Sequence, residues 1–336
     1  MRIAVFDIGT NSIHMKIVQI GPGLSFEVLE HKKDMTRLGD GSFRSKKLSK
    51  RAMRRALKVL TRFARLAKVE GARKMIAVAT SAVRDAKNGP QFVRAVLKKT
   101  GIRIRIISGR EEGRLIFLGV TSGLDTRRGK TLVVDIGGGS AEFILGDHRK
   151  IDSDESFPLG VARLTDRFIT KDPPSGENLR NLEEYIEEKL VEVLKPLRNK
   201  KFLMVVGTAG TMINLAAVVY QAREKRPLRL RGTFELTKKD FLKRHRKMIE
   251  MSHRQLRDLP GLDRNRSDII VAGSVLVWLL MKHLKNDPFF ISDKGIREGM
   301  ILDHLMRSVM MLKKPKPNLR VQWFGQKPFF SGKILG

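Results

Sequence analysis

The 336-residue chain contains no cysteine. This absence excludes disulfide bonds, thiolate nucleophiles and cysteine-ligated zinc sites. Aromatic residues make up only 6% of the sequence. Because no aromatic base-stacking signature is present either, sequence-specific recognition of nucleic acid is not expected.

Long hydrophobic runs are also missing. The longest apolar stretch, from Ile269 to Met281, is interrupted by Gly273 and Ser274 and is shorter than the roughly 18 residues that a membrane-spanning helix needs. It predicts a buried helix instead. A strand-like run begins at Ile3, where a secretory signal would carry a charged segment and a longer apolar one. We therefore expect a cytoplasmic protein with no membrane partner.

Acidic residues are scarce relative to basic ones. The chain has 35 Asp and Glu against 67 Lys and Arg, a formal net charge of +32. The resulting positive potential favours a large anionic partner, such as nucleic acid, an anionic membrane surface, a phosphate polymer or a highly phosphorylated nucleotide. A basic surface without a specific partner would give the same composition. Nucleic acid is expected to bind only non-specifically, in a salt-sensitive manner.

The length of the chain is suited to two domains. Strand-like and helical patterns alternate up to about residue 123, a polar, glycine-containing segment follows, and a new strand begins at Thr131. We predict an N-terminal domain over 1–123, a C-terminal domain over 124–312 and a basic tail over 313–336. The expected fold class is α/β, with two similar domains facing each other.

An internal repeat supports this division. Residues 3–12 and 131–140 are each an apolar strand that enters an acidic turn with glycine and a small hydroxyl residue. Backbone N–H groups of such turns converge on anions, and phosphate is the natural ligand. Asp7 and Asp135 would repel a bare phosphate, so a divalent cation or an ordered water is expected between these carboxylates and the phosphate. One such turn alone is equally consistent with a tight hairpin.

Three further segments add candidate site residues. Gly207-Thr208-Ala209-Gly210-Thr211 forms a third loop after a predicted strand. Ser108 and Glu111 have the spacing of a capping box, which would leave Glu112 free to act as a general base with its pKa raised by phosphates or by Glu142. Favourable placement at the helix dipole would explain the same acidic pair.

Arg84 follows another predicted strand and could bind phosphate oxygens or pair with Asp85.

Together these segments resemble the exopolyphosphatase and guanosine-pentaphosphate phosphohydrolase family, which belongs to the superfamily of actin, sugar kinases and Hsp70 ATPase domains. The resemblance extends over nearly the whole chain, in blocks at 7–12, 80–84, 108–114 with 119–120, 135–142, 156–160, 207–211 with 214–216, 266–268 with 273, and 292 through 297–299. It implies two ribonuclease-H-like domains with an interdomain cleft. Ala209 stands where the family often has glycine.

The resemblance also implies the roles of individual residues. Glu112 would be the general base that activates water for attack on a terminal phosphorus. Asp135 and Glu142 would lie at the site of Mg²⁺ or another divalent cation. The expected substrate-binding residues are Arg84, Asn11, Ser12, Gly137, Gly138, Gly139, Ser140, Gly207, Thr208, Gly210 and Thr211.

The implied activity is that of an exopolyphosphatase, a hydrolase that releases terminal orthophosphate from inorganic polyphosphate. The net charge favours polyphosphate over guanosine pentaphosphate, which stays open as a substrate. An actin-fold, ATP-dependent phosphotransferase would use the same turns, and a non-catalytic polyanion-binding protein would have the same charge. We expect a short-form member without the helical HD-like C-terminal region of longer relatives, and the resemblance allows a homodimer.

Overall fold

A computed structural model describes residues 1–230 and 232–312, and the predicted basic tail at 313–336 lies outside the described residues. The elements of the first half are β1 (Arg2–Ile8), β2 (Ile13–Ile20), β3 (Phe26–Asp34), α1 (Ser42–Ser45), α2 (Lys50–Val69), β4 (Lys74–Ala79), α3 (Ser81–Arg84), α4 (Gly89–Thr100) and β5 (Ile104–Ile106). They form a five-stranded sheet of order β3-β2-β1-β4-β5.

The second half repeats this plan with more elements. They are α5 (Gly109–Thr121), β6 (Thr131–Ile136), β7 (Ala141–Gly146), β8 (Ile151–Phe157), α6 (Val161–Phe168), α7 (Gly176–Leu194), β9 (Met204–Thr208), α8 (Ala209–Glu224), β10 (Thr233–Leu236), α9 (Lys238–Met248), α10 (His253–Arg257), α11 (Ile270–Leu284), β11 (Phe289–Ser292) and α12 (Ile296–Leu312). The sheet order is β10-β11-β9-β6-β7-β8.

The two sheets share one topology. In each, three strands form an antiparallel meander, β1-β2-β3 and β6-β7-β8. The first strand of each meander also pairs in parallel with a later strand, β4 or β9. Parallel strands end at the same edge of a sheet, so the turns after β1 and β6 lie beside the carboxyl ends of β4 and β9. The expected fold class, two ribonuclease-H-like domains, is confirmed.

Helix α2 illustrates how local sequence builds these layers. Its apolar residues recur at helical spacing and include Ala56, Leu60 and Phe63, which pack on the first sheet. The Ser49 side chain accepts a hydrogen bond from Ala52 N at 3.1 Å and caps the helix. The buried helix predicted around residues 269–281 is also present, as α11. Across the described parts of the chain, no helix is both long and apolar enough to cross a membrane.

Helices α5 and α12 connect the two halves. Leu115 of α5 and Ile301 of α12 pack with Ile3 of β1, while other α5 side chains pack on the second sheet. The helices approach so closely that a Cβ atom on Gly119 would lie 1.9 Å from the Gly295 carbonyl oxygen. Helix α12 therefore returns to the first sheet from the second half of the chain. The boundaries at 123 and 312 stay a prediction.

Candidate active site

The candidate site is built around two turns that have the same backbone conformation. After β1, the Gly9 N–H donates to the Ser12 carbonyl at 3.0 Å, and after β6 the Gly137 N–H donates to the Ser140 carbonyl at 3.1 Å. The side chains of Ser12 and Ser140 are both buried. The repeat seen in the sequence is thus a repeat of local structure, with equivalent positions in both halves.

The two turns face each other at close range. A Cβ atom on Gly139 would lie 2.6 Å from Thr10 Oγ1 and 2.5 Å from Ser81 Oγ, and one on Gly138 would lie 3.1 Å from Thr10 Cβ. Glycine at these positions therefore lets the first half approach the second-half backbone. The turns of the two halves consequently meet across a closed cleft.

The second turn presents N–H groups rather than carbonyls. The first residues of α6 donate to the carbonyls of Gly137 and Gly138, from Val161 N at 3.0 Å and Ala162 N at 2.8 Å. No backbone acceptor within the described chain faces the N–H groups of Gly138 and Gly139. Free N–H groups in succession form an anion-binding concavity.

Glu112 lies beside Arg84 in this cleft. It is 8% exposed, and Arg84 Nη1 donates to its Oε2 at 2.8 Å. The Arg84 to Asp85 pair is looser, with 3.7 Å between Nε and Oδ1. Ser108 caps α5 by accepting from Glu111 N at 3.1 Å. The Glu111 side chain pairs with Arg105 instead of closing the predicted capping box, which leaves Glu112 as the carboxylate that enters the site.

Four carboxyl groups act on one another here, of which Glu112, Asp135 and Glu142 are buried and Asp7 is partly exposed. Burial raises the pKa of Glu112 well above its ordinary value, and the charge of Glu142 raises it further, while Arg84 opposes the shift. Burial, with Glu112 and Asp7 nearby, raises the pKa of Asp135 to about 8. Burial and the charge of Asp135 raise the pKa of Glu142 to about 8. Burial also raises the pKa of Asp7 to about 6, against the attraction of Arg297.

This donor set fits a hard divalent cation. Carboxylate oxygens are the ligands of Mg²⁺, and a cation would relieve the mutual repulsion of buried carboxylates. Asp135 and Glu142 are paired across β6 and β7, so both could hold it. Over residues 1–230 and 232–312, no group of three or more His, Asp or Glu side chains is arranged to ligate a metal. Water and substrate oxygens would therefore complete the coordination, as they commonly do for Mg²⁺.

Two of the predicted binding residues carry polar side-chain atoms without a protein partner in the described part of the chain. The side-chain nitrogen of Asn11 and the hydroxyl of Thr211 are buried and have no hydrogen-bond partner among the described residues. Buried polar atoms are normally satisfied. Both atoms could therefore form hydrogen bonds with a bound ligand or with water.

The third loop is only partly in the cleft. Thr208 pairs with Asp135 in the sheet, and its hydroxyl donates to the Lys294 carbonyl at 2.6 Å. Gly207 lies inside β9, with a neighbouring strand on each side, so the structure does not group it with the turn residues. Ala209 adopts a left-handed φ of 67°, which costs a non-glycine residue about 1 kcal/mol.

The sequence reasoning missed His14 and Arg297. Arg297 Nη1 lies 2.9 Å from His14 Nδ1, and His14 Nε2 lies 3.0 Å from Ser12 Oγ. Since arginine only donates, Nδ1 must accept, and the protonated Nε2 donates to Ser12. Burial lowers the pKa of His14 well below its ordinary value, so the ring is neutral. Strand alternation places Ser12 and His14 on one face, and this signal could have identified His14.

Arg163 of α6 was also missed. Its Nε donates to the Gly139 carbonyl at 2.8 Å, and its Nη2 contacts Asp85 Oδ2 at 2.5 Å. The guanidinium also lies 4.1 Å from the centre of the Phe43 ring. Arg163 therefore bridges the second-half turn to the first half. Cavities of about 300 and 180 Å³ lie elsewhere, on α7–α11 and α8–α9, and neither is lined by Asp7, Glu112, Asp135 or Glu142.

Known proteins match this chain over nearly its whole length. A model of the Ppx/GppA phosphatase family matches residues 16–308. Exopolyphosphatase 1 of Mycobacterium leprae is 30% identical over 312 residues, 91% of this chain and 90% of that protein. Exopolyphosphatase 2 of Mycobacterium tuberculosis is 30% identical over 318 residues, 90% of this chain and 98% of that protein.

A solved structure shares the fold. The crystal structure of an exopolyphosphatase from Cytophaga hutchinsonii has a TM-score of 0.86 and 30% identity, over 91% of this chain and 98% of that one. The resemblance noted in the sequence is confirmed.

Proposed function

The chain belongs to the Ppx/GppA phosphatase family, and we propose that it is an exopolyphosphatase that releases orthophosphate from the end of inorganic polyphosphate. The observation that carries the proposal is the buried Glu112 carboxylate, held by Arg84 at 2.8 Å in the cleft between two anion-binding turns. The names of the relatives and the net charge of +32 support a long anionic substrate.

Substrate binding is assigned to the turns and to Arg84. The N–H groups of Gly138 and Gly139 and the hydroxyls of Ser12 and Ser140 would donate to the terminal phosphoryl oxygens. Arg84 would donate to the same oxygens. Since Arg84 is paired with Glu112, a bound phosphate competes for the guanidinium and weakens its hold on the carboxylate.

Glu112 then acts as the general base. A water molecule attacks the terminal phosphorus, a proton passes from that water to a Glu112 oxygen, and the bridging P–O bond breaks. The electron pair of that bond leaves with the shortened chain, and the proton on Glu112 is released to solvent. The raised pKa of Glu112 brings the carboxylate closer to the range in which a base accepts protons efficiently near neutral pH. No phosphoenzyme is required.

We assign Asp135 and Glu142 as holders of Mg²⁺ or another divalent cation, with Asp7 close by. When bound, the cation would supply neutralisation of the charge on the phosphoryl oxygens. The protein side chains contribute orientation, because Ser156 Oγ donates to Glu142 Oε1 at 2.8 Å and fixes that carboxylate. Positioning and electrostatic stabilisation provide most of the catalysis in phosphoryl transfer.

The test is phosphate release with magnesium from three substrates: long-chain polyphosphate, guanosine pentaphosphate and ATP. Glu112→Gln should lower turnover of polyphosphate by about 10³-fold, since it removes the base but keeps the shape. Glu111→Gln is the matched control, because the Glu111 side chain pairs with Arg105 at 2.8 Å.

Three outcomes would contradict the proposal. Equal turnover in wild type and Glu112→Gln would show that Glu112 is not the general base. Preferential hydrolysis of guanosine pentaphosphate would change the substrate. Consumption of ATP only with a sugar or carboxylate acceptor, without phosphate release from polyphosphate, would indicate a phosphotransferase.

A further inference from the structure

Helix α2 carries positive charge only. Its sequence has eight Lys and Arg and no Asp or Glu. Five of these basic residues recur at intervals of three or four and are exposed, so they share one helix face. We call this face the basic stripe, and its members are Arg51, Arg54, Lys58, Arg62 and Arg65. At 1.5 Å per residue the stripe is about 21 Å long.

The stripe is electrostatically unfavourable for the protein alone. Like charges at these intervals repel each other along the helix. Lys50 and Arg51 also lie in the first turn, where the helix dipole is positive and no acidic residue balances them. Among the described side chains, Arg62 is the one stripe residue with an ion pair, to Asp34 Oδ2 at 2.9 Å. An external anion would relieve this repulsion.

Neighbouring elements enlarge the basic face. Helix α4 packs beside α2 and exposes Arg94, Lys98 and Lys99. By contrast, α7 in the second half carries most of its exposed charge as glutamate. The helical layer of the first sheet therefore carries a continuous positive surface. Helix α9 of the second half is also basic and supplies a comparison surface of the same charge.

The stripe begins near the catalytic cleft. Helix α2 leads into β4, whose carboxyl end is followed by Arg84, so the N-terminal end of α2 lies at the same edge as the site. Just before α2, Leu48 N donates to Asn88 Oδ1 at 2.8 Å and Lys87 N donates to the Lys46 carbonyl at 2.9 Å. Lys46 and Lys87 are exposed and extend the positive surface from the cleft towards Arg51.

We propose that the basic stripe binds the part of a polyphosphate chain that lies outside the catalytic cleft. The inference rests on the proposed function and adds a second binding surface to it. Polyphosphate fits better than single-stranded nucleic acid, because non-specific nucleic-acid grooves combine basic residues with aromatic stacking platforms. The aromatic residue of α2, Phe63, is buried against the sheet.

The experiment compares two triple variants that each lose three positive charges. The stripe variant is Arg54→Gln, Lys58→Gln, Arg65→Gln. The control is Lys239→Gln, Lys243→Gln, Lys247→Gln, which changes exposed residues of α9 on the second half. For both, kcat/KM is measured with long-chain polyphosphate and with tripolyphosphate over a range of salt concentrations.

The stripe variant should lose about tenfold in kcat/KM for the long chain, and the slope of log(kcat/KM) against log salt should become shallower by about 2. Tripolyphosphate has few phosphates beyond the one held in the cleft, so its kcat/KM should change by less than about twofold. The control should show no effect that depends on chain length. Melting temperatures of both variants report whether they fold.

Each contrary result has its own meaning. An equal loss in both variants, or an equal loss for both substrates, would overturn the inference in favour of a net-charge effect. Binding of single-stranded DNA that requires the stripe, with unchanged hydrolysis of long polyphosphate, would assign the surface to nucleic acid and also overturn it. If the wild type releases no phosphate from either polyphosphate, the proposed function fails, and direct binding of long polyphosphate to the two variants still decides the stripe.

Discussion

The turn after β1 and the turn after β6 share a backbone but differ in chemistry. Both are closed by a glycine N–H that donates to a serine carbonyl, at 3.0 and 3.1 Å. In the register of the following strands, Asp7 pairs with His14 and Asp135 pairs with Glu142. One half therefore places a neutral ring beside its acidic residue, and the other places a second carboxylate.

Side-chain size differs in the same way. The first turn carries Thr10 and Asn11 where the second has Gly138 and Gly139. The first half thus supplies the side chains of Thr10 and Asn11, and the second half supplies the glycine backbone against which they lie. Duplication of the strand and turn provides two equivalent turns, and the divergence of a few positions gives the first turn side chains and the second turn an uncovered backbone.

The largest effect should come from exchanging the acidic residues of the two turns for amides. Asp135→Asn should lower kcat/KM by about 10³-fold, since a lost cation ligand removes several kcal/mol of transition-state stabilisation. Asp7→Asn should cost only about tenfold, because Arg297 already offsets the charge of Asp7. Magnesium titration of phosphate release is the measurement, with a larger rise in half-saturating magnesium for Asp135→Asn. Equal effects at both positions would show that the turns are chemically equivalent.

The next effect concerns Glu142 and pH. In metal-free buffer the folded state holds protons on Asp135 and Glu142 up to about pH 8, far above the unfolded chain. Stability from these groups is therefore complete below about pH 4 and is lost as pH rises to about 8. Glu142→Gln should weaken this decline and stabilise the protein at pH 8 by about 2 kcal/mol, while lowering activity by about 10²-fold.

Thermal unfolding in EDTA between pH 5 and pH 8 measures this. Magnesium should remove most of the difference between wild type and Glu142→Gln at pH 8, because a bound cation relieves the same repulsion. Parallel pH profiles of the two proteins in EDTA would contradict the prediction. Glu155→Gln, at a half-buried position on β8 that pairs with Phe143 in register, is a control for loss of one negative charge.

Much of this comparison could be predicted from local sequence. The signals for the turns, for Glu112 and for α2 lie in contiguous residues. They are the apolar strand runs, the placement of glycine and the helical periodicity. The repeat predicted two similar α/β halves, and the family resemblance implied that they are ribonuclease-H-like. Strand β3 escaped the sequence reasoning because its sequence, FEVLEHKKD, lacks regular apolar alternation, and its residues are largely exposed.

The rest could not be predicted because it depends on distant residues. His14 and Arg297 are separated by 283 positions, and nothing local to either indicates the other. The contact exists because α12 returns to the first sheet. The binding role of Gly207 stays a prediction. The structure places this residue inside β9, whose pairing with β6 and β11 continues through it, and the local glycine-rich sequence of the third loop does not indicate that pairing.

A smaller effect should follow from adding a methyl group to the second turn. Gly139→Ala would place Cβ within 2.6 Å of Thr10 Oγ1 and Ser81 Oγ, so the turns must separate, and kcat/KM should fall by about 30-fold. Gly138→Ala is the milder control, since its nearest contact is 3.1 Å from Thr10 Cβ. Steady-state kinetics should therefore rank wild type, Gly138→Ala and Gly139→Ala in that order. The reverse order for the two variants would mean that the turns are apart in the active form.

The smallest effect should arise at His14, the counterpart of Glu142. If neutral His14 donates from Nε2 to Ser12 Oγ, the Ser12 hydroxyl hydrogen remains free for a phosphate oxygen. His14→Asn keeps an acceptor near Nδ1 for Arg297 but loses the donor, and should lower kcat/KM by about tenfold. His14→Gln keeps a donor near Nε2 and should retain several-fold more activity.

A double-mutant cycle separates this role from a structural one. If His14 acts through Ser12, adding His14→Asn to Ser12→Ala should cause little further loss, since the two residues contribute through one hydrogen bond. Fully multiplicative losses would mean that His14 works independently of Ser12. His31→Asn is the matched control, because His31 also contacts Arg297 Nη1, at 2.8 Å, but is not bonded to Ser12. Nitrogen-15 NMR of the imidazole reports the tautomer directly, and a protonated Nδ1 at His14 would refute the donor assignment whatever the kinetics.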